Sequence, residues 1–132
     1  MFHETISDEQ LDVLKKLSEI REVSGTFYLA GGTALALRLG HRRSYDFDFF
    51  SGNKFNSGLY SNMIIKDFGG SISSLSDDTV NGIIKNINVS FLLYPYKLIR
   101  DPEKYNNLDL ASLEDLTCMK CSAIMKRGTK RD

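Results

Sequence analysis

The chain has 132 residues, in which 17 basic and 17 acidic side chains cancel. That length supports one buried core, and a zero formal charge excludes non-specific nucleic-acid binding through global charge. No apolar run approaches the ~20 residues that cross a bilayer, and Met1-Phe2-His3-Glu4-Thr5 lacks the basic and apolar parts of a signal peptide.

Ser7 and Gln10 have the spacing of a capping box, and Leu11, Leu14, Leu17, Ile20 and Val23 then mark one apolar face of a single first helix. Phe27-Tyr28-Leu29-Ala30 reads as a short buried strand. It stops at Gly31-Gly32, and Thr33 to Leu39, rich in Ala and Leu, reads as a helix. Paired glycines let the backbone turn sharply and approach a ligand closely. The amides and positive dipole end of the helix suit an anion, to which Thr33 adds a hydroxyl. The pattern is neither a Walker A loop nor GxGxxG, and a plain strand-to-helix turn is the competing reading.

Fifteen positions after Gly31 comes Asp46. In Tyr45-Asp46-Phe47-Asp48-Phe49 aromatic and acidic residues alternate, the period of a half-buried strand. Tyr45, Phe47 and Phe49 then face the core, and Asp46 and Asp48 lie side by side on the opposite face. Two like charges so placed repel. A bound Mg²⁺ or Mn²⁺ reverses that penalty, because hard cations prefer carboxylate oxygens and share the rest of their shell with phosphates and water. A solvated strand end is the plainer alternative for an isolated Asp-x-Asp. Arg43 and Ser44 stand beside the acids and suit phosphate oxygens. Arg38, His41, Arg42 and Arg43, with the basic stretch from Lys120 to Arg131, form a positive funnel if both clusters face one cleft, and two solvated faces otherwise.

A second amphipathic piece runs from Phe55 to Phe68 and ends at Gly69-Gly70. Ser71 to Leu93 reads as sheet, with a hairpin turn signalled by Asn-Gly in Val80-Asn81-Gly82-Ile83. Within it Ser90 sits between the core positions Val89 and Phe91. Tyr94-Pro95-Tyr96 forms either a stacking wall for a base or an aromatic anchor. Asp101-Pro102 marks a turn, and Leu108 to Ala111 reads as a short edge strand. Ser112 with Asp115 caps a last helix reaching about Arg127. Cys118 and Cys121 share a helix face without a second Cys/His pair to complete a zinc site, so buried reduced thiols in a cytoplasmic protein are expected. The order β-α-β-α-β-β-α behind a first helix gives an α+β (α/β) fold, a mixed β-sheet flanked by helices.

Strand, Gly-Gly-Thr, helix, then Arg-x-Ser-x-Asp-x-Asp-Phe-Phe over 42–50 resembles the nucleotidyltransferase superfamily. More narrowly, the chain is similar to the AbiEii/AbiGii toxin-type nucleotidyltransferases of bacterial abortive-infection and toxin–antitoxin systems. Lys120-Cys121-Ser122-Ala123-Ile124-Met125-Lys126-Arg127 matches that family's later Lys-x-x-Ala-[Leu/Ile]-x-x-Arg helix, and its basic-Asp element follows as Lys130-Arg131-Asp132. The resemblance spans roughly Phe27 to Asp132. It implies a metal-dependent enzyme that moves a nucleoside monophosphate from a nucleoside triphosphate to an RNA (such as tRNA) or protein acceptor, with an antitoxin partner. It places Lys120 at the nucleotide as a catalytic residue. The residues themselves point to Asp46 and Asp48 for Mg²⁺ or Mn²⁺ and to Gly31, Gly32, Thr33, Arg43, Ser44 and Ser90 for nucleotide binding, joined by Arg127, seven positions after Lys120, unless Arg127 is structural.

Two departures accompany it. The third carboxylate that such enzymes often draw from a neighbouring strand has no counterpart, since no Asp or Glu occurs between Asp78 and Asp101. Ser90 or Asp132 replaces it, two acids suffice, or catalysis is lost. The family also continues into a helical region beyond the basic helix, so residues 1–132 read as a single nucleotidyltransferase-like domain lacking that region. The alternatives of another class are an inactive nucleotide- or RNA-binding module and the partner-binding half of a two-component system.

Overall fold

Ser7 and Gln10 exchange the two hydrogen bonds of a capping box, the Gln10 amide to Ser7 Oγ at 3.1 Å and the Ser7 amide to Gln10 Oε1 at 2.8 Å. They start α1 (Asp8–Ser18) in the computed structural model, which describes residues 6–40, 46–105 and 107–120. The apolar stripe expected to form one helix is broken. The Ser18 hydroxyl turns back to the Lys15 carbonyl at 2.6 Å, Ile20 takes an extended conformation, and Val23 falls on a separate turn, α2 (Arg21–Ser24). Short polar side chains that bond the preceding carbonyls compete with helix continuation in this way.

β1 (Tyr28–Ala30) is buried throughout, and α3 (Gly31–Leu39) follows without a linker. β2 (Asp46–Ser51) alternates between exposed or half-buried and fully buried residues, as the aromatic-acidic pattern requires. Asn56 caps α4 (Ser57–Phe68) by accepting from the Leu59 amide at 3.3 Å, and Gly69 ends it in the left-handed region. Next come β3 (Ser71–Ser76), β4 (Thr79–Ile84), β5 (Ile87–Leu93), β6 (Glu103–Tyr105) and β7 (Leu108–Leu110). A helical run, α5, begins at 113 and covers the described residues to 120.

The sheet order is β3-β4-β5-β2-β1-β7-β6. β2 runs parallel to β5 and β1 parallel to β7; every other pairing is antiparallel. Two sequence expectations are corrected here. The Asn81-Gly82 pair does not turn the chain but lies within β4. The β4–β5 turn is made by Lys85 and Asn86, at φ 50° and 66°, the left-handed pair of a tight hairpin. Gly82 instead makes room for α4, because a Cβ there would come within 2.9 Å of Ile64 Cδ1. Likewise β7 is not an edge strand. It inserts beside β1, and the charged segment 103–105 forms the edge as β6.

One face of the sheet carries the core. Phe47 and Phe49 of β2 align with Val89 and Phe91 of β5, and the Phe91 ring meets Phe27, Phe49 and Tyr60 at centroid distances of 5.0, 5.2 and 5.2 Å. The other face of β2 and β5 presents Asp46 and Asp48 beside Asn88 and Ser90. Because Phe91 is fully buried among three rings, Phe91→Ala is expected to lower the unfolding free energy by about 3–5 kcal/mol, measured by urea denaturation.

Candidate functional site

The antiparallel register of β1 and β2 pairs Ala30 with Asp48, so the chain leaves β1 directly against the second acid. Gly31 turns there at φ +70°, and a Cβ built on it would fall on Asp48 Oδ2 and lie 2.9 Å from its Cγ. Only glycine fits both the backbone angle and the space. Two residues on, the buried Thr33 hydroxyl donates to the Asp46 carbonyl. This ties the first turn of α3 to the start of β2. The N-cap residue Ala30 supplies no side-chain cap and the first turn holds no acid, so the positive dipole end of α3 lies next to Asp48. Gly32 belongs to the same turn and is half-buried.

Asp46 is exposed and accepts from Asn88 Nδ2 at 3.2 Å. Asp48 is half-buried; burial pushes its carboxyl above the usual range, and the charge of Asp46 pushes it further. Among the described residues no ion pair reaches either acid, and none gathers three or more His, Cys, Asp or Glu side chains. Two adjacent carboxylates that no described cation pairs with fit a divalent cation with oxygen ligands. Opposite Asp48 on β5 stands Ser90, whose hydroxyl donates to Asn81 Oδ1 at 2.6 Å.

The same face continues as an aromatic shelf. Phe50 follows Asp48 by two positions and lies 6.1 Å from the Tyr28 ring and 5.5 Å from Tyr94, which lies 5.0 Å from Tyr96. The Tyr94 amide fixes the shelf to β2 through the Ser51 carbonyl at 2.7 Å, while Tyr96 is 62% exposed.

Lys120 is exposed at the end of the described part of α5. The start of that helix is anchored by Asp115, whose Oδ1 accepts from the Ile99 amide at 2.7 Å and whose Oδ2 accepts from the Arg100 amide at 3.1 Å and the Ser112 hydroxyl at 2.8 Å. Burial alone would push the Asp115 carboxyl up, but these three donors outweigh it and hold it below the usual range. Arg38 does not join a positive funnel. Its guanidinium is directed to the Ala111 carbonyl at 2.7 Å and the Leu110 carbonyl at 3.4 Å, fastening α3 to β7. Cys118 is exposed and not a buried thiol. Arg43, Ser44, Arg127 and Asp132, with His41, Arg42 and Cys121, lie outside the described residues.

Asn88 and Asn81 escaped the sequence reading. Both sites follow from strand register, and an isolated Asn carries no periodic signal that would disclose its cross-strand neighbour.

The raised carboxyl of Asp48 has a consequence for stability. A proton binds more readily in the fold than in the unfolded chain, so the contribution is favourable below the unfolded value and is lost as pH rises through the folded one. At neutral pH without metal Asp48 therefore opposes folding. Asp48→Asn is expected to raise the melting temperature of metal-free protein at pH 7 by roughly 1–4 °C, the scale of relieving one like-charge pair. The gain should fade as pH falls toward 4, which differential scanning calorimetry in chelator measures.

Residues 13–90 match the family described as the nucleotidyl transferase AbiEii toxin of type IV toxin–antitoxin systems. An uncharacterized protein of Aquifex aeolicus (strain VF5) is 40% identical over 131 residues, covering 96% of this chain and 63% of that protein. The chain thus spans less than two thirds of the curated relative it matches. Among solved structures, a Thermotoga maritima protein provisionally assigned as a nucleotidyltransferase superposes with a TM-score of 0.59 at 18% identity, covering 96% of this chain and 92% of that one. A tRNA-processing enzyme in an apo form gives a TM-score of 0.58 at 15% identity, over 86% of this chain and 35% of that one. Both share the fold, a mixed sheet with flanking helices. With the family match covering more than half of its length, the chain belongs to the AbiEii nucleotidyltransferase toxin family.

Proposed function

We propose that this domain transfers a nucleoside monophosphate from a nucleoside triphosphate to an RNA or protein acceptor, as the cytoplasmic toxin of a toxin–antitoxin pair. The observation that carries the reading is the pair Asp46 and Asp48, which no ion pair among the described residues reaches, set against the glycine start of α3. Asp46 and Asp48 would hold Mg²⁺ or Mn²⁺. That ion supplies neutralisation of the charge that builds on the α-phosphoryl group and the departing pyrophosphate.

The chain's own groups do the rest. Backbone amides of Gly31, Gly32 and Thr33 bind triphosphate oxygens at the positive end of α3. The absence of a Gly31 side chain lets phosphate approach Asp48 closely. Arg43 and Ser44 lie two to three positions before Asp46 and serve as phosphate contacts, Arg43 by its two-pronged geometry. Ser90 stands beside Asp48 and completes the polar wall of the site. Family resemblance assigns Lys120 to the nucleotide, and Arg127, seven positions later in the sequence, is the second basic contact of this proposal. The acceptor oxygen attacks the α-phosphorus, the bond to the α–β bridging oxygen breaks, and pyrophosphate leaves with the electron pair.

One observation favours a second reading. A serine stands at the β5 position opposite Asp48 where a third carboxylate is expected, which an inactive nucleotide-binding module would also show. Transfer of radiolabel from each α-labelled nucleoside triphosphate into total RNA and protein, with Mg²⁺ or Mn²⁺, separates the two. Label is expected in one fraction, which names the acceptor class. The Asp46→Asn/Asp48→Asn double variant should lose about three orders of magnitude of rate, the equivalent of several kcal/mol. Silence from folded protein that still binds triphosphate, both in this chain and in a form extended beyond Asp132, would favour the inactive module.

A further inference from the structure

One row of side chains crosses four strands on the face that carries the acids. Asp48 on β2 pairs with Ser90 on β5, Ser90 with Asn81 on β4, and Asn81 with Ser74 on β3. Its hydrogen bonds point one way. The Ser90 hydroxyl donates to Asn81 Oδ1 at 2.6 Å, and Asn81 Nδ2 donates to Ser74 Oγ at 2.7 Å. The irregularity between Ile72 and Ser74 brings Ser73 in as well, donating to the Asn81 carbonyl at 3.0 Å. Asn81 is therefore held at both its amide and its backbone.

A serine hydroxyl has one proton and two lone pairs. With the proton directed away to Asn81, what Ser90 can offer toward Asp48 is lone pairs alone. Among the described residues no side chain donates a hydrogen bond to Asp48. A third oxygen acceptor beside two carboxylates disfavours a bare phosphate and suits a hard cation, which is ligated by neutral as well as charged oxygens.

We propose that Asn81 is a positioning residue: by accepting the Ser90 proton it turns the Ser90 oxygen toward the cation of Asp46 and Asp48, making Ser90 a neutral third oxygen of that site. The proposal rests on reading Asp46 and Asp48 as cation ligands. It accounts for a serine in place of a third acid without loss of the site. Groups that orient a ligand from behind commonly carry about 10- to 100-fold of metal affinity.

The test is direct Mn²⁺ binding to the full 132-residue chain, read by electron paramagnetic resonance of the free ion. Ser90→Ala and Asn81→Ala should each weaken binding about tenfold. The double variant should be no weaker than either, because Asn81 acts through Ser90. Asn81→Asp keeps an acceptor for the Ser90 proton and should retain the affinity, while Ser90→Asp should tighten it, a gain that misfolding cannot produce. Unchanged affinity in Asn81→Ala, or losses that add in the double variant, would overturn the relay. Asp48→Asn separates the two levels. If it abolishes Mn²⁺ binding while the Ser90 and Asn81 variants bind normally, the relay alone fails. If it binds as the parent does, or the parent binds none, the cation reading fails with it.

Discussion

The repulsion between Asp46 and Asp48 is the constraint around which the rest of the site is arranged. Both carboxylates are outward positions of a strand whose inward positions, Phe47 and Phe49, are fully buried. The core fixes the strand's facing, since a slip of one residue would put the acids into the aromatic cluster and the rings into water. The charges therefore cannot move apart by rotating the strand. Hydrophobic packing on the far side of the sheet holds the pair in place, and Asp48 is raised first by its own burial and then by the charge of Asp46.

The described groups around the pair leave that repulsion standing. Gly31 fills the space against Asp48 with backbone only, and Thr33 is directed to the Asp46 carbonyl, not to a carboxylate. From β5, Asn88 gives Asp46 a single amide contact at 3.2 Å, while Ser90 gives its proton to Asn81. A carboxyl raised by burial and by a neighbouring acid, beside a helix start, forms a site that gains most when a cation and a polyphosphate arrive together.

Much of this was legible in the chain. Alternation in residues 45–49 disclosed the facing of both acids, and Gly31-Gly32 after an apolar run disclosed the strand-to-helix turn. The capping residues Ser7 and Ser112 sit where helices begin. Local chemistry misled where tertiary packing decided the outcome. Asn81-Gly82 has the composition of a turn, yet Gly82 is needed under Ile64 and Lys85-Asn86 turns the chain instead. The first helix broke at Ser18 although its apolar stripe continued. Register was out of reach altogether: that β5 pairs with β2 in parallel, bringing Asn88 and Ser90 beside the acids, depends on two strands separated by a helix and a hairpin. Arg38 read as part of a basic cluster, but its guanidinium is held by the carbonyls of Leu110 and Ala111 at the end of β7.

The most direct test of the cation reading is a crystal structure with Mn²⁺ and a non-hydrolysable nucleoside triphosphate, using the anomalous signal of the metal. The account predicts a peak at bonding distance, about 2 Å, from carboxylate oxygens of both Asp46 and Asp48. It also predicts phosphate oxygens against the backbone of residues 31–33. A metal bound elsewhere, or a triphosphate seated away from Gly31 with both carboxylates facing water alone, would contradict it.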